Sequence, residues 1–172
     1  MARGWVALLR AINLGARNKV PMAALREVLE DLGCQSVRTY IQSGNVVFEH
    51  DGPDRARLEA AVAEAFGVQS VIVLRKAKQI RDLVSAHPFG RDTSKSHVAF
   101  LSEKPDRSAL RSLSQLEIGP DRFEVVGADV ALHYPNGFSG AKLTAARLEK
   151  HLGVPATVRN WRTVVRLAEM AK

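Results

Sequence analysis

The chain has almost no sulfur chemistry to offer. Of its 172 residues one is a cysteine, Cys34, so no internal disulfide can form, which agrees with a reducing compartment. Long apolar runs are also missing. Nothing approaches the ~18 consecutive apolar residues of a membrane span. The opening Met1-Ala2-Arg3-Gly4-Trp5 leads straight into a short strand-like run, where a secretory signal would need a longer apolar segment and a small-residue cleavage site. The expectation is a cytoplasmic protein with no membrane partner. The five histidines, His50, His87, His97, His133 and His151, show neither H-x-x-x-H nor H-E-x-x-H spacing, so no zinc site is indicated. There is no G-x-S-x-G and no dinucleotide G-x-G-x-x-G, and no motif implies a cofactor. Cys34 stands beside the C-terminal end of an expected helix, where the dipole disfavours a thiolate. No catalytic residue can be named.

What the chain does have is positive charge, at its two ends. The net charge is +7 and the pI about 10.0. Residues 1–26 hold Arg3, Arg10, Arg17, Lys19 and Arg26 and no acid. Residues 142–172 hold Lys142, Arg147, Lys150, Arg159, Arg162, Arg166 and Lys172 against Glu149 and Glu169. Such a balance favours anionic partners, a phosphate-bearing small molecule or nucleic acid; it also simply keeps a protein dispersed.

Element order comes from periodicity. Trp5-Val6-Ala7-Leu8-Leu9 reads as a buried strand. Met22, Leu25, Val28, Leu29 and Leu32 recur at helical spacing after Pro21. Strands are expected over 36–41 and 45–50, joined by Ser43-Gly44-Asn45, where Gly44 and Asn45 tolerate positive φ. Leu58, Ala61, Val62, Ala65 and Phe66 mark a helix ended by Gly67, and Ser70 to Leu74 a fourth strand. The order is βαββαβ, the split-βαβ or ferredoxin-like motif. Residues 76–87 form a connecting helix and Arg91 to Lys95 a polar linker.

A second pass follows. His97-Val98-Ala99-Phe100-Leu101 parallels Trp5 to Leu9, Ala109-Leu110-Arg111 parallels Ala24-Leu25-Arg26, and Leu152-Gly153-Val154 parallels Phe66-Gly67-Val68. Residues 122–126 and 129–134 make a second hairpin around Gly127-Ala128, Ala156 to Val158 make the eighth strand, and an extra helix spans 161–171. The expected fold is α+β: two ferredoxin-like halves related by internal duplication. The expected boundaries are 1–75 for the first half, 76–95 for helix and linker, and 96–172 for the second half with its last helix.

Four stretches could carry a site. In the loop after the first strand, Arg10, Asn13, Arg17, Asn18 and Lys19 precede a helix N-terminus, a setting that suits an anion. Composition alone favours a solvated loop there. Gln42, Ser43 and Asn45 at the hairpin tip could contact a ligand, though Ser-Gly-Asn is ordinary turn chemistry. Ser139-Gly140-Ala141-Lys142-Leu143-Thr144 opens a helix with a lysine able to meet an anion, but its spacing is not that of a nucleotide-binding phosphate loop. In Thr157 to Thr163, Asn160 could cap the last helix and Trp161 favours the core. Arg159, Arg162 and Arg166, three and four residues apart, suggest one basic stripe.

Leu8-Leu9-Arg10-Ala11-Ile12-Asn13-Leu14-Gly15, Asn18 to Met22, Thr39 to Phe48, Lys142-Leu143-Thr144 and Arg159 to Val164 together resemble the signature of the bacterial domain-of-unknown-function family 1697. The resemblance spans essentially the whole chain. It implies two ferredoxin-like halves and supplies no function. Ala11 stands where the family usually has glycine, and Arg162 where asparagine is frequent. The signature residues coincide with the candidate stretches: Arg10, Asn13 and Lys19; Gln42, Ser43 and Asn45; Lys142; Arg159 and Asn160. That raises a shared basic and polar surface to equal standing with pure structural capping. Three functions are then in play: a binding module for a phosphate-bearing ligand, an enzyme acting on a small anion in a cleft between the halves, and an interaction or oligomerisation module.

Overall fold

The structure, a computed structural model, describes residues 3–171; Met1, Ala2 and Lys172 of the basic head and tail lie outside the described residues. The chain divides into two units, one made of residues 1–82 with 166–172 and the other of residues 83–165.

The first repeat runs β1 (Arg3–Leu9), α1 (Met22–Asp31), β2 (Gln35–Tyr40), β3 (Asn45–His50), α2 (Arg55–Phe66) and β4 (Ile72–Lys76), then α3 (Ala77–Ser85). Its sheet is antiparallel throughout, in the order β2-β3-β1-β4. The second repeat runs β5 (Ser96–Leu101), α4 (Arg107–Leu113), β6 (Arg122–Val126), β7 (Asp129–His133), α5 (Ala145–Leu152) and β8 (Ala156–Asn160), then α6 (Trp161–Met170). Its sheet has the matching order β6-β7-β5-β8. Both halves are therefore βαββαβ. In each, a helix, α3 or α6, follows the last strand with no intervening residue.

Why β1 and β5 read as unbroken apolar runs is now clear. Ala7 and Leu9 join the core under α1 and α2, with Leu25, Leu29, Val46, Phe48, Leu58, Val62 and Ile72. Val6, Leu8, Val47 and Val73, on the opposite side of the same sheet, are buried as well. In the second repeat Ala99, Leu101, Val130 and Leu132 face the core containing Leu148 and Leu152, while Val98, Phe100 and Ala131 are also buried. A sheet covered on both faces has no polar alternation to display.

Specific polar contacts lock each helix to its sheet in the same way twice. The Glu59 carboxylate on α2 accepts from the first N–H of β4, at Ile72 (2.9 Å). The Glu149 carboxylate on α5 accepts from the first N–H of β8, at Ala156 (2.8 Å). Asp54 caps α2 through Ala56 N–H (2.9 Å), and Thr144 caps α5 through Arg147 N–H (3.2 Å). Buried arginines match too: Arg75 on β4 lies opposite Val6, and Arg159 on β8 opposite Val98. Each guanidinium donates to the preceding carbonyl, Leu74 O at 2.8 Å and Val158 O at 3.2 Å.

One local expectation changes. The first hairpin turn is residues 41–44, and β2 ends at Tyr40. Positive φ falls on Ile41 (48°) and Gly44 (86°) and not on Asn45. Asn45 opens β3, fully buried, because its amide closes the turn by donating to Tyr40 O (2.9 Å) and Ser43 Oγ (2.9 Å). A side chain, not a left-handed backbone, does the work at that position.

Candidate functional site

Of the sequence-derived residues, Arg10, Asn13, Lys19, Gln42, Ser43 and Asn45 lie in the first unit. The loop after β1 and the tip of the β2–β3 hairpin come together there. Asn13 is the joint. Its amide donates to Val20 O (2.9 Å) and Gln42 O (2.7 Å), and its carbonyl accepts from Val20 N–H (2.8 Å). Leu9 N–H meets Gly44 O at 2.8 Å. The main chain of Arg10 is tied to β4 by Ser70 Oγ donating to Arg10 O (2.6 Å) and Arg10 N–H donating to Val71 O (3.0 Å). Asn13 thus spends its amide on backbone groups, and Asn45 spends its own on Tyr40 O and Ser43 Oγ. Lys19 and Gln42 are exposed, and neither side chain has a partner among the described residues.

Lys142, Arg159 and Asn160 belong to the second unit. Lys142 is exposed, and its main chain is fixed by the Asp121 carboxylate, which accepts from Lys142 N–H (2.6 Å) and Leu143 N–H (2.8 Å). Arg159 is in β8, not on a helical stripe. It is buried, donates to Thr157 Oγ1 (2.6 Å), and desolvation pulls its guanidinium down to about 10. At neutral pH it stays cationic. The stripe that spacing suggested therefore breaks at Asn160, where period two gives way to period 3.6. Arg162 remains exposed on α6, and Arg166 pairs with Glu169 at 3.1 Å. Asn160 caps α6 as expected, accepting from Thr163 N–H at 2.9 Å.

The start of α6 lines a cleft of about 660 Å³ with Arg91, Asp92, Thr93, Ser94, Ser96, Asn160, Trp161, Arg162 and Val165 on its walls. That is within the usual range for small-molecule sites, ~300–1,000 Å³. The cavity beside Cys34 and His50 is only about 50 Å³. Charge in the larger cleft is two arginines against Asp92. The Asp92 carboxylate is held by the Ser94 hydroxyl and by Ser94 N–H (3.0 Å), which keep its pKa below the usual range. Arg91 and Arg162 have no ion pair or side-chain hydrogen bond among the described residues. The positive end of the α6 dipole adds to them.

Sequence reasoning treated residues 91–95 as a linker, and a cleft wall has the same polar composition. It also missed a pairing nine residues apart: His87 Nε2 lies 2.8 Å from Ser96 Oγ. The His87 ring also bonds the backbone of Gly90, and burial lowers its pKa, so the neutral ring can accept the serine proton. The geometry is that of a nucleophile and its base. Accessibility decides against it: although Ser96 borders the cleft, it is only 1% exposed, and an attacking oxygen must be reached by substrate. The pair instead ties the segment before β5 to the strand itself. Cys34 is likewise inert, buried with its thiol pushed up to about 11 by desolvation. Among the described residues no group of three or more His, Cys, Asp or Glu could hold a metal, and no helix is long and apolar enough to cross a membrane.

The model of the family described as "Protein of unknown function (DUF1697)" matches residues 2–130. No curated protein matches the chain. Among solved structures, the conserved bacterial protein SP0830 from Streptococcus pneumoniae is similar at 24% identity, with 99% of this chain and 98% of that one covered and a TM-score of 0.76; that likeness is one of fold. An unknown protein from Galdieria sulphuraria aligns over 92% of this chain and 98% of its own at 12% identity, with a TM-score of 0.26, too low to support a shared fold.

Proposed function

The chain belongs to this family of unknown function, and from that premise we propose that it is a binding module for a phosphate-bearing anion, held in the cleft at the start of α6. The observation that supports this reading best is the pair Arg91 and Arg162, two cations lining one cleft with no carboxylate partner among the described residues. Unpaired guanidinium groups beside a helix N-terminus match the planar, doubly accepting edge of a phosphate. Asn160, Thr93 and Ser94 supply neutral hydrogen-bonding groups on the same walls. Arg159, buried behind Thr157, holds the strand from which Asn160 and α6 emerge; it takes a supporting role.

The test is calorimetric titration of the full chain with inorganic triphosphate. Binding is expected at low salt and weakens as salt rises. Arg162→Ala and Arg91→Ala should each lower affinity roughly tenfold or more, the usual worth of a hydrogen bond to a charged group. Arg166→Ala removes an equally exposed cation that is already paired with Glu169 and should change little. Equal losses in all three variants would mean diffuse charge attraction with no site.

A further inference from the structure

An exposed aromatic ring packs against the strand whose first residue lines the cleft. Phe138, in a short 3₁₀ turn (Phe138–Gly140) between β7 and α5, is 63% exposed. It does not hang loose. Its ring stacks on His97, with centroids 5.3 Å apart and planes inclined by 27°. His97 packs on Tyr134 at 5.0 Å. The Tyr134 hydroxyl is fixed by donating to Leu143 O at 2.7 Å. The ring is therefore supported from one side and open on the other.

Cations and cleft lie on the same stretch of chain. Arg91, Thr93, Ser94 and Ser96 line the cleft. Lys95 sits between two of them, and its Nζ comes within 3.8 Å of where a Cβ on Gly137 would be, beside Phe138. Lys95 O accepts from Tyr134 N–H at 2.9 Å, which holds the two segments together. His97 follows and carries the stacked ring. Ser96 and His97 are neighbours on β5, so they point to opposite faces of the sheet.

We infer that the phosphate-bearing ligand is single-stranded nucleic acid, with its backbone in the cleft and across Lys95 and one base stacked on Phe138. The inference rests on the anion-binding reading above. A base offers its flat face to a ring only when it is unpaired. The cleft and the ring are on two sides of the β5 end, so a ligand touching both must bend round it. A single strand does so readily, whereas a duplex is stiff over ~150 base pairs. A plain inorganic anion would account for the cleft and leave the ring unexplained.

The experiment is fluorescence anisotropy of the full chain with a short labelled oligouridylate, run beside calorimetry with inorganic triphosphate. Phe138→Leu keeps the apolar bulk and removes the aromatic face, at an exposed site where folding is unaffected. It should weaken the oligonucleotide roughly ten- to hundredfold and leave triphosphate unchanged. Phe138→Trp should bind at least as well as the parent. Lys95→Ala should reduce the salt slope for the oligonucleotide by about one. Unchanged oligonucleotide affinity in Phe138→Leu, or equal binding of a duplex, overturns the inference. Triphosphate binding with no oligonucleotide binding overturns it while leaving the cleft reading intact. No binding of either ends both.

Discussion

Leu9 and Leu101 end the first strands of the two repeats, and their N–H groups are satisfied by different means. Leu9 N–H donates to Gly44 O at 2.8 Å, so the β2–β3 turn itself closes on β1. Leu101 N–H donates to the Asp129 carboxylate at 3.1 Å, so a side chain reaches across where the first repeat uses a turn carbonyl. One repeat draws its hairpin tip into the structure; the other leaves room. The consequence is visible in the polar residues. In the first repeat Asn13 and Asn45 are committed to contacts within the loop and hairpin. In the second unit, Arg91 and Arg162 on the cleft walls have no partners among the described residues. The two halves share an element order and differ in where their polar side chains are committed.

The two hairpin glycines sharpen this comparison most. A Cβ at Gly44 would lie 2.7 Å from Ile12 Cδ1 and 2.9 Å from Leu9 Cβ, and φ there is 86°. Gly44→Ala combines left-handed strain with overpacking and should cost roughly 2–5 kcal/mol, on the order of ten degrees in Tm. Gly127 has φ 60° and nothing within 4 Å of such a Cβ. Gly127→Ala should lose only about 1–2 kcal/mol, the strain alone. Equal effects in thermal unfolding would break the contrast between a closed and an open turn.

Asparagines give the next largest difference. Asn13→Ala would strip three hydrogen bonds from Val20 and Gln42 at a residue with φ 52°, where asparagine is better tolerated than alanine. A loss of about 2–4 kcal/mol is expected in denaturant unfolding. Asn160→Ala removes one helix cap and should cost about 1 kcal/mol. If Asn160→Ala proved the more damaging, the assignment of the first-repeat asparagines to architecture would be wrong.

How much of this could be read from residues alone depends on range. β1 and β5 were legible because both sheet faces are buried and no alternation obscures them. α1 was legible because Leu25 and Leu29 keep the helical period. The βαββαβ order repeated, since its parts are local. Arg75 and Arg159 were not recognised as a pair, because an inward arginine near a strand end looks like the polar end of the strand. Arg159 was instead grouped with Arg162 and Arg166, since nothing local marks where β8 yields to α6. The Glu59 and Glu149 locks span 13 and 7 residues and exist only once helix and sheet have met. The cap at Asn160 was foreseeable from its place three residues before Thr163. The cleft was not, because its far wall is drawn from a segment whose composition says only that it is solvated.

The smallest expected effect concerns pH and again separates the two units. His87 and His97, both in the second unit, have pKa values lowered chiefly by burial. His87 faces Ser96, Phe89 and Trp161, with the charge of His133 opposing its protonation. His97 faces Tyr134 and Phe138, with a backbone bond at Lys95 favouring its charged form. A histidine whose folded pKa is depressed stays neutral in the native state while the unfolded chain takes up a proton near its ordinary value of about 6.5. Between the depressed and ordinary values the unfolded state binds more protons, so stability rises with pH there. It is fully present above about 6.5 and declines as pH falls toward the lowered values. Tm should therefore drop between pH 7.5 and pH 5, by a few degrees at most because both rings are only partly buried. His97→Gln keeps a polar side chain of similar reach and removes the titration, so its Tm should vary less over the same interval. A His97→Gln profile as steep as the parent's would show that the pH response arises elsewhere than beneath the Phe138 ring.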